Sequence, residues 1–309
     1  MIDAVKSARV TIVLISCAHL GLRVETAHAQ GVCSTGTQEC GQFATHAIAP
    51  NTSYLLENNA WGDPGQCIQW LSDGEFCVSA TPSGIGFPNI LQGNVFGTGP
   101  TTGWVPRQVS AISAWNAGWS VGGMPTAQPG WNAIIEMWAT TTNPTGKNVT
   151  QPDGTELMIF LGASPGIVPG PGTITGHAFI DGLYWDVYAG RWPTNQNTTA
   201  RWNMIGYVLA SPPPSDFGRL YGDLTPFLVD AQRQTGVGTG DPLGPCVDAT
   251  LNNNQCLDSS WWITSIQFGF ETFGGGVGLS TDSFSSAPGV NGGCGSQADC
   301  KLAALGPSL

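Results

Sequence analysis

The chain has 309 residues, a formal net charge of −11 and only 10% charged residues, where soluble domains usually carry ~25%. Like charge argues against nucleic acid, anionic membrane or an acidic polysaccharide as partner, and leaves a neutral ligand without penalty. With 43 Gly, 22 Pro and 12 Trp, the composition suits a turn-rich β protein and not a protein of long helices.

The chain opens with a secretory pattern. Lys6 and Arg9 form a basic region, residues 10–22 are mostly apolar, and Ala27-His28-Ala29 supplies an A-x-A cleavage site. Residues 1–29 are therefore expected to be a signal peptide, 30–286 the main domain and 287–309 a Gly/Ser-rich tail. No later segment has the ~18 apolar residues of a membrane helix, so a soluble, extracellular monomer with no membrane contact is expected. Of nine cysteines, Cys17 leaves with the signal, and the even remainder implies disulfides after export. No C-x2-C pair occurs, and only His46 and His177 remain as imidazoles. Neither a metal site nor a cofactor is expected.

Short apolar or alternating runs follow at 54–56, 76–78, 134–139, 156–161, 177–180, 184–188, 204–210 and 261–270. Gly, Pro, Asn and Asp separate them, as in a β-sandwich or jelly roll. One segment differs. Asp223 is placed to cap a helix over Leu224, Phe227, Leu228 and Ala231, ending near Thr235-Gly236. Residues 162–176 and 236–259 read as loops. A Cys246–Cys256 bridge would tie off the second, and Cys294 and Cys300 lie close enough to pin the tail.

No G-x-S-x-G, P-loop or dinucleotide motif is present, and both histidines read as structural or solvated. The glutamates say more. Glu136, Glu156 and Glu271 lie inside apolar strand patterns, where charge is normally excluded. Alternation puts Glu156, Met158 and Phe160 on one face and Leu157, Ile159 and Leu161 on the other. It likewise puts Glu136 with Ile134 and Trp138, and Glu271 with Gly269 and Phe273. Three carboxylates, each beside an aromatic ring, indicate one concave sheet face that stacks on a sugar and cleaves its glycosidic bond.

The residues then resemble a known family. The run 155–161 (TELMIFL) is similar to the E-[LI]-M-I-W strand of glycoside hydrolase family 12. The run 265–273 (SIQFGFETF) is similar to its S-x-Q-x-G-x-E-P-[FW] strand. Residues 58–62 (NNAWG) resemble its N-N-x-W-G segment, and Phe87-Pro88-Asn89-Ile90 with Gly93 the region after it. The motifs occur in family order from about residue 40 to 284. The resemblance implies an all-β jelly roll of two packed antiparallel sheets with one helix and a concave substrate cleft. It implies a retaining endo-β-1,4-glucanase acting on cellulose-like glucan, mixed-linkage glucan or xyloglucan. Carried over by motif, Glu156 is the nucleophile, Glu271 the acid/base, and Glu136, where the family usually has Asp, supports the nucleophile. Trp61, Asn59, Met158, Phe160, Trp138 and Phe273 are implied to bind substrate.

Three departures stand out: Glu136 for Asp, Phe160 for Trp, and Thr272 for the Pro after the acid/base. Each bears on rate and specificity; none removes a carboxylate. By the same resemblance Cys40 pairs with Cys67, which leaves Cys33 for Cys77; Cys40–Cys77 is the alternative. Cys246–Cys256 and Cys294–Cys300 are expected as local pairs. A non-catalytic, lectin-like jelly roll and a xylanase of the related jelly-roll family are the competing functions.

Overall fold

The structure is a computed structural model. It describes residues 33–289 except 52, 63–64, 81–83, 99–102, 125–126, 145–148, 171, 194–200, 211–217, 237–244 and 248–253. The expected signal peptide, the Cys294–Cys300 pair and most of the tail lie outside the described residues.

Two sheets pack face to face, with strands numbered here in chain order. The smaller runs β1 (Thr37–Glu39), β4 (Cys67–Trp70), β5 (Phe76–Ala80), β17 (Ser280–Pro288), β9 (Trp115–Gly122) and β15 (Arg219–Asp223). The larger runs β12 (Gly176–Ile180), β13 (Leu183–Pro193), β14 (Arg201–Leu209), β11 (Thr155–Ala163), β10 (Trp131–Thr140), β16 (Trp262–Phe273), β7 (Asn89–Gly93), β3 (Leu55–Glu57) and β2 (Thr45–Ala47). Short strands β6 (Ile85–Gly86) and β8 (Arg107–Gln108) also pair with β16. The arrangement is the expected jelly roll, except that β11 and β14 pair parallel where wholly antiparallel sheets were expected. The expected boundary at residue 286 falls inside β17, which runs on to Pro288.

Alternation explains which face each strand buries. Ala133, Ile135, Met137, Leu157, Ile159, Leu161, Phe268 and Phe270 join the core between the sheets. There Phe270 meets Phe76 at 5.6 Å and Trp119 at 5.4 Å between ring centroids, closing the two sheets on each other. Ile134, Met158 and Phe160 fall outside that core, in a separate apolar cluster on the far, concave face of the larger sheet. Every residue of β10 is buried, because both of its faces are covered.

The one helix of seven or more residues among the described residues, α1 (Thr225–Ala231), packs Phe227 against Trp185 and Tyr207. It starts one residue later than expected, with Leu224 at the cap position. The Asp223 carboxylate still accepts from Thr225 N and from Trp115 N, both at 2.9 Å, so it ties the helix start to β9. The helix ends at Ala231 and not near Thr235-Gly236. Residues 234 and 235 give their carbonyls instead to Cys256 N and Cys246 N.

Disulfides join Cys33–Cys77, Cys40–Cys67 and Cys246–Cys256. The two N-terminal bridges fasten the beginning of the chain to the smaller sheet and its rim. His46 and His177 each contact a carboxylate. His46 Nε2 lies 2.9 Å from Glu39 and stacks on Trp70, and His177 Nδ1 lies 2.9 Å from Asp186.

Candidate active site

Three adjacent strands, β11, β10 and β16, carry the three glutamates. Across β10 and β11, Trp138 opposes Glu156 and Glu136 opposes Met158. Glu136 is thus a diagonal neighbour of Glu156. On the other side of β10, Asn132 opposes Glu271. Strand pleat turns Glu136, Glu156, Glu271 and Asn132 to the concave face, away from the inter-sheet core.

The two inner carboxyls share a proton economy. Glu136 and Glu156 are both buried and hydrogen-bonded to each other. Burial pushes Glu136 well above the usual carboxylate range, and the charge of Glu156, the bond to Glu156 and the charge of Glu271 push it further the same way. Burial raises Glu156 too, but hydrogen bonds from Glu136 and Trp202 pull it back. The arrangement therefore keeps the proton on Glu136, which donates to an ionised Glu156. Trp202 Nε1 donates to Glu156 Oε2 at 2.6 Å.

Glu271 behaves differently. Burial, opposed by a hydrogen bond from Asn132 and aided by the charge of Glu156, pushes its carboxyl up to about 7. Asn132 Nδ2 donates to Glu271 Oε2, and Asn132 Oδ1 accepts from Glu271 N at 3.3 Å. One side chain thus fixes both the carboxyl and the backbone of that residue. Environments that hold one carboxyl protonated near neutrality and another ionised separate an acid from a base.

The aromatic residues divide by exposure. Trp61 is 53% exposed and Phe273 38%, so both present ring surface to solvent. Trp138, Phe160 and Met158 lie on the concave face as expected but are buried, so they form its floor and offer little open surface. Phe160 packs with Phe87, Ile134 and Met204, and Trp138 with Leu91, Val95 and Trp202. Pro169, from the loop after β11, lies over Gly206 beside Phe160; a Cβ at Gly206 would come within 2.5 Å of its ring. Only glycine lets that loop close down on the sheet. Asn59 takes a positive φ of 30° and accepts from Phe87 N at 2.9 Å, which sets the turn that presents Trp61.

Four residues on this face escaped the sequence reading. Asn132 and Trp202 contact the carboxyls directly. Phe96, 50% exposed with φ 49°, stands edge-on to Trp138 at 4.9 Å. Glu57 is a further buried carboxyl, raised by burial and held by Asn89 Nδ2 at 3.4 Å and Thr98 Oγ1 at 3.2 Å. It ties the strand before Trp61 to the loop that carries Phe96. Buried polar residues were the available signal at Glu57 and Asn132; nothing in the local pattern marks Trp202.

A two-sheet jelly roll whose concave face gathers carboxyls in unlike environments is the architecture of a polysaccharide-cleaving β-sandwich, a glycoside hydrolase. The particular family follows from residues 52–288, which match Glycosyl hydrolase family 12, and the chain belongs to that family. Among solved structures it is similar to endoglucanase cel12A from Rhodothermus marinus, at 24% identity over 81% of this chain and 98% of that one, with a TM-score of 0.64. It is also similar to the endo-1,4-β-glucanase CelB2, at 25% identity over 82% and 100%, with a TM-score of 0.59. A family 12 xyloglucanase from Bacillus licheniformis aligns at 19% identity over 81% and 99%, with a TM-score of 0.62. A comparison with curated protein sequences returned no match.

Proposed function

We propose that the chain is a secreted, retaining endo-β-1,4-glucanase acting on neutral β-glucan, with Glu156 as nucleophile and Glu271 as acid/base. The observation that carries this reading is the split in carboxyl environments. Burial raises both carboxyls, but Glu156 receives two hydrogen bonds that favour its charge, while Glu271 is pushed up to about 7. Ionised Glu156 attacks the anomeric carbon as the glycosidic bond breaks, and the proton of Glu271 passes to the departing oxygen. Glu271, now a carboxylate, takes a proton from water. That water attacks the same carbon, and the ester to Glu156 breaks. Glu136 holds Glu156 in line throughout by donating its proton's hydrogen bond. Trp61, Phe96 and Phe273 are the rings open to sugar faces, over a floor of Trp138, Met158 and Phe160.

Export is supported by the A-x-A pattern and by three disulfides. The test is reducing-sugar release from carboxymethylcellulose, barley glucan, xyloglucan and xylan, with the first product's anomer read by NMR. Activity on the glucans and a β-configured first product are expected, and Glu156→Gln should abolish turnover. An α-configured first product, or full activity in Glu156→Gln, would refute the assignment.

A further inference from the structure

Glu156 receives two hydrogen bonds that differ in kind. Glu136 can donate only while it keeps its proton. The indole N–H of Trp202 donates at any pH and accepts nothing. Its 2.6 Å bond to Oε2 therefore favours the carboxylate whatever the state of Glu136. The ring is also held laterally. Trp202 stands against Trp138 at 5.3 Å and 66°, and Trp138 against Phe96 at 4.9 Å and 83°.

The support behind this pair comes from elsewhere in the chain. Thr155 and Asn203, the residues adjoining Glu156 and Trp202, are partners in the parallel pairing of β11 with β14. Both are buried, on the face opposite the cleft. Both donate to the same atom, the carbonyl oxygen of Cys256: Thr155 through Oγ1, Asn203 through Nδ2 at 3.1 Å. Asn203 Nδ2 also donates to Val247 O at 3.1 Å, and its Oδ1 accepts from Val247 N at 3.0 Å. Cys246 and Cys256 are fully buried and joined by a disulfide. Their own N–H groups are bonded to Thr235 and Gln234 just past α1. Both strands that carry the Glu156–Trp202 contact thus hang on one disulfide-closed segment.

We propose that Trp202 is a positioning residue for Glu156 and that Val247 and Cys256, held by the Cys246–Cys256 disulfide, are the buttress that fixes the two against each other. The proposal rests on the reading of Glu156 as nucleophile. The N–H aims Oε2 before attack, and it meets the charge that returns to the carboxylate when the glycosyl ester breaks. Val247 and Cys256, bonded to the face of the sheet opposite the cleft, thereby set the geometry of the reaction.

The test uses a 2,4-dinitrophenyl β-cellobioside, whose leaving group needs no proton from Glu271. Trp202→Phe keeps a ring and removes the donor. A benzothiophene amino acid at position 202, introduced by codon suppression, keeps the bicyclic shape and also lacks the N–H. Both are expected to lower kcat/KM by ~10- to ~100-fold and to move its acid limb up by about one pH unit. The charged groups facing Glu156 are Glu136 from β10 and Glu271 from β16, and neither is altered. Thr155→Val, which removes one hydroxyl behind the site, is expected to move the limb in the same direction by a smaller amount and to lower the rate a few-fold. A benzothiophene variant with the wild-type rate and limb overturns the role of the N–H. A Thr155→Val enzyme with wild-type rate and limb overturns the buttress. Labelling of the wild type with a 2-deoxy-2-fluoro cellobioside separates the two layers. Failure to label Glu156 sinks the nucleophile reading, whereas labelled Glu156 with indifferent variants sinks this proposal alone.

Discussion

Replacing Glu271 by Gln is expected to abolish hydrolysis of glucan and, at alkaline pH, to stabilise the fold. Gln has nearly the same shape and still accepts the Asn132 hydrogen bond, so the packing change is small. The difference lies in the charge. In the folded protein the carboxyl is pushed up to about 7 from an ordinary 4.5. Below pH 4.5 it is protonated in both folded and unfolded chains and costs nothing. Between 4.5 and 7 the unfolded chain ionises and the folded one does not, so stability falls as pH rises. Above 7 the whole cost is present. A gap of that size corresponds to about 3 kcal/mol, an upper figure because Glu271 stays partly open to cleft water. Guanidinium unfolding of wild type and Glu271→Gln at pH 4 and pH 8, with disulfides intact, measures it as a difference of differences. The variant should match the wild type at pH 4 and exceed it by up to about 3 kcal/mol at pH 8, a rise in Tm of roughly 6–12 °C. Equal differences at the two pH values would refute the claim that burial holds this carboxyl protonated. A variant less stable than wild type at pH 8 only would refute it more directly.

Further perturbations separate the remaining parts of the site. Asn132→Leu removes a donor that favours ionised Glu271, so the basic limb of barley-glucan hydrolysis should move to higher pH; a downward move would show that Asn132 acts otherwise. Glu136→Gln keeps a donor toward Glu156 and Glu136→Ala does not, so kcat should be at least about tenfold higher in the Gln variant; equal rates would mean that Glu136 acts only by its size or charge. Phe96→Ala should raise KM for barley glucan a few-fold with little change in Tm. Phe96→Gly should raise KM equally while easing the left-handed backbone at φ 49°, so a glycine variant with no gain in Tm over the alanine variant would argue against strain there.

Much of the site was legible because charge is scarce in this chain. A glutamate inside TELMIFL has few bland explanations, and period-two alternation assigns its face without any tertiary knowledge. The same logic put Leu157, Ile159 and Leu161 on the face opposite Glu156, and the structure has all three in the core. It failed at contacts made across strands. Asn132 reaches Glu271 over a separation of 139 residues, and Trp202 reaches Glu156 over 46. Neither has a local signature, since each depends on which strands pair and in what register. The helix was misjudged at its end for a related reason. Residues 232–236 are polar enough to continue a turn, but the backbone beyond α1 is claimed by Cys246 and Cys256.

The sequence by itself determined the alternating faces, the turn-separated strands, the scarcity of charge and the presence of three glutamates where apolar residues belong. These are properties of a residue and its near neighbours, and pleat and composition suffice to read them. Only the tertiary structure decided which carboxyl keeps its proton. That depends on depth of burial, on the diagonal placement of Glu136 beside Glu156, and on donors from β10 and β14. It also decided that Trp138, Met158 and Phe160 are floor and not open platform, because the loop carrying Pro169 and the neighbouring strands cover them. The electrostatic environment of a buried group is a sum over everything packed around it, and that sum exists only once the sheets have closed.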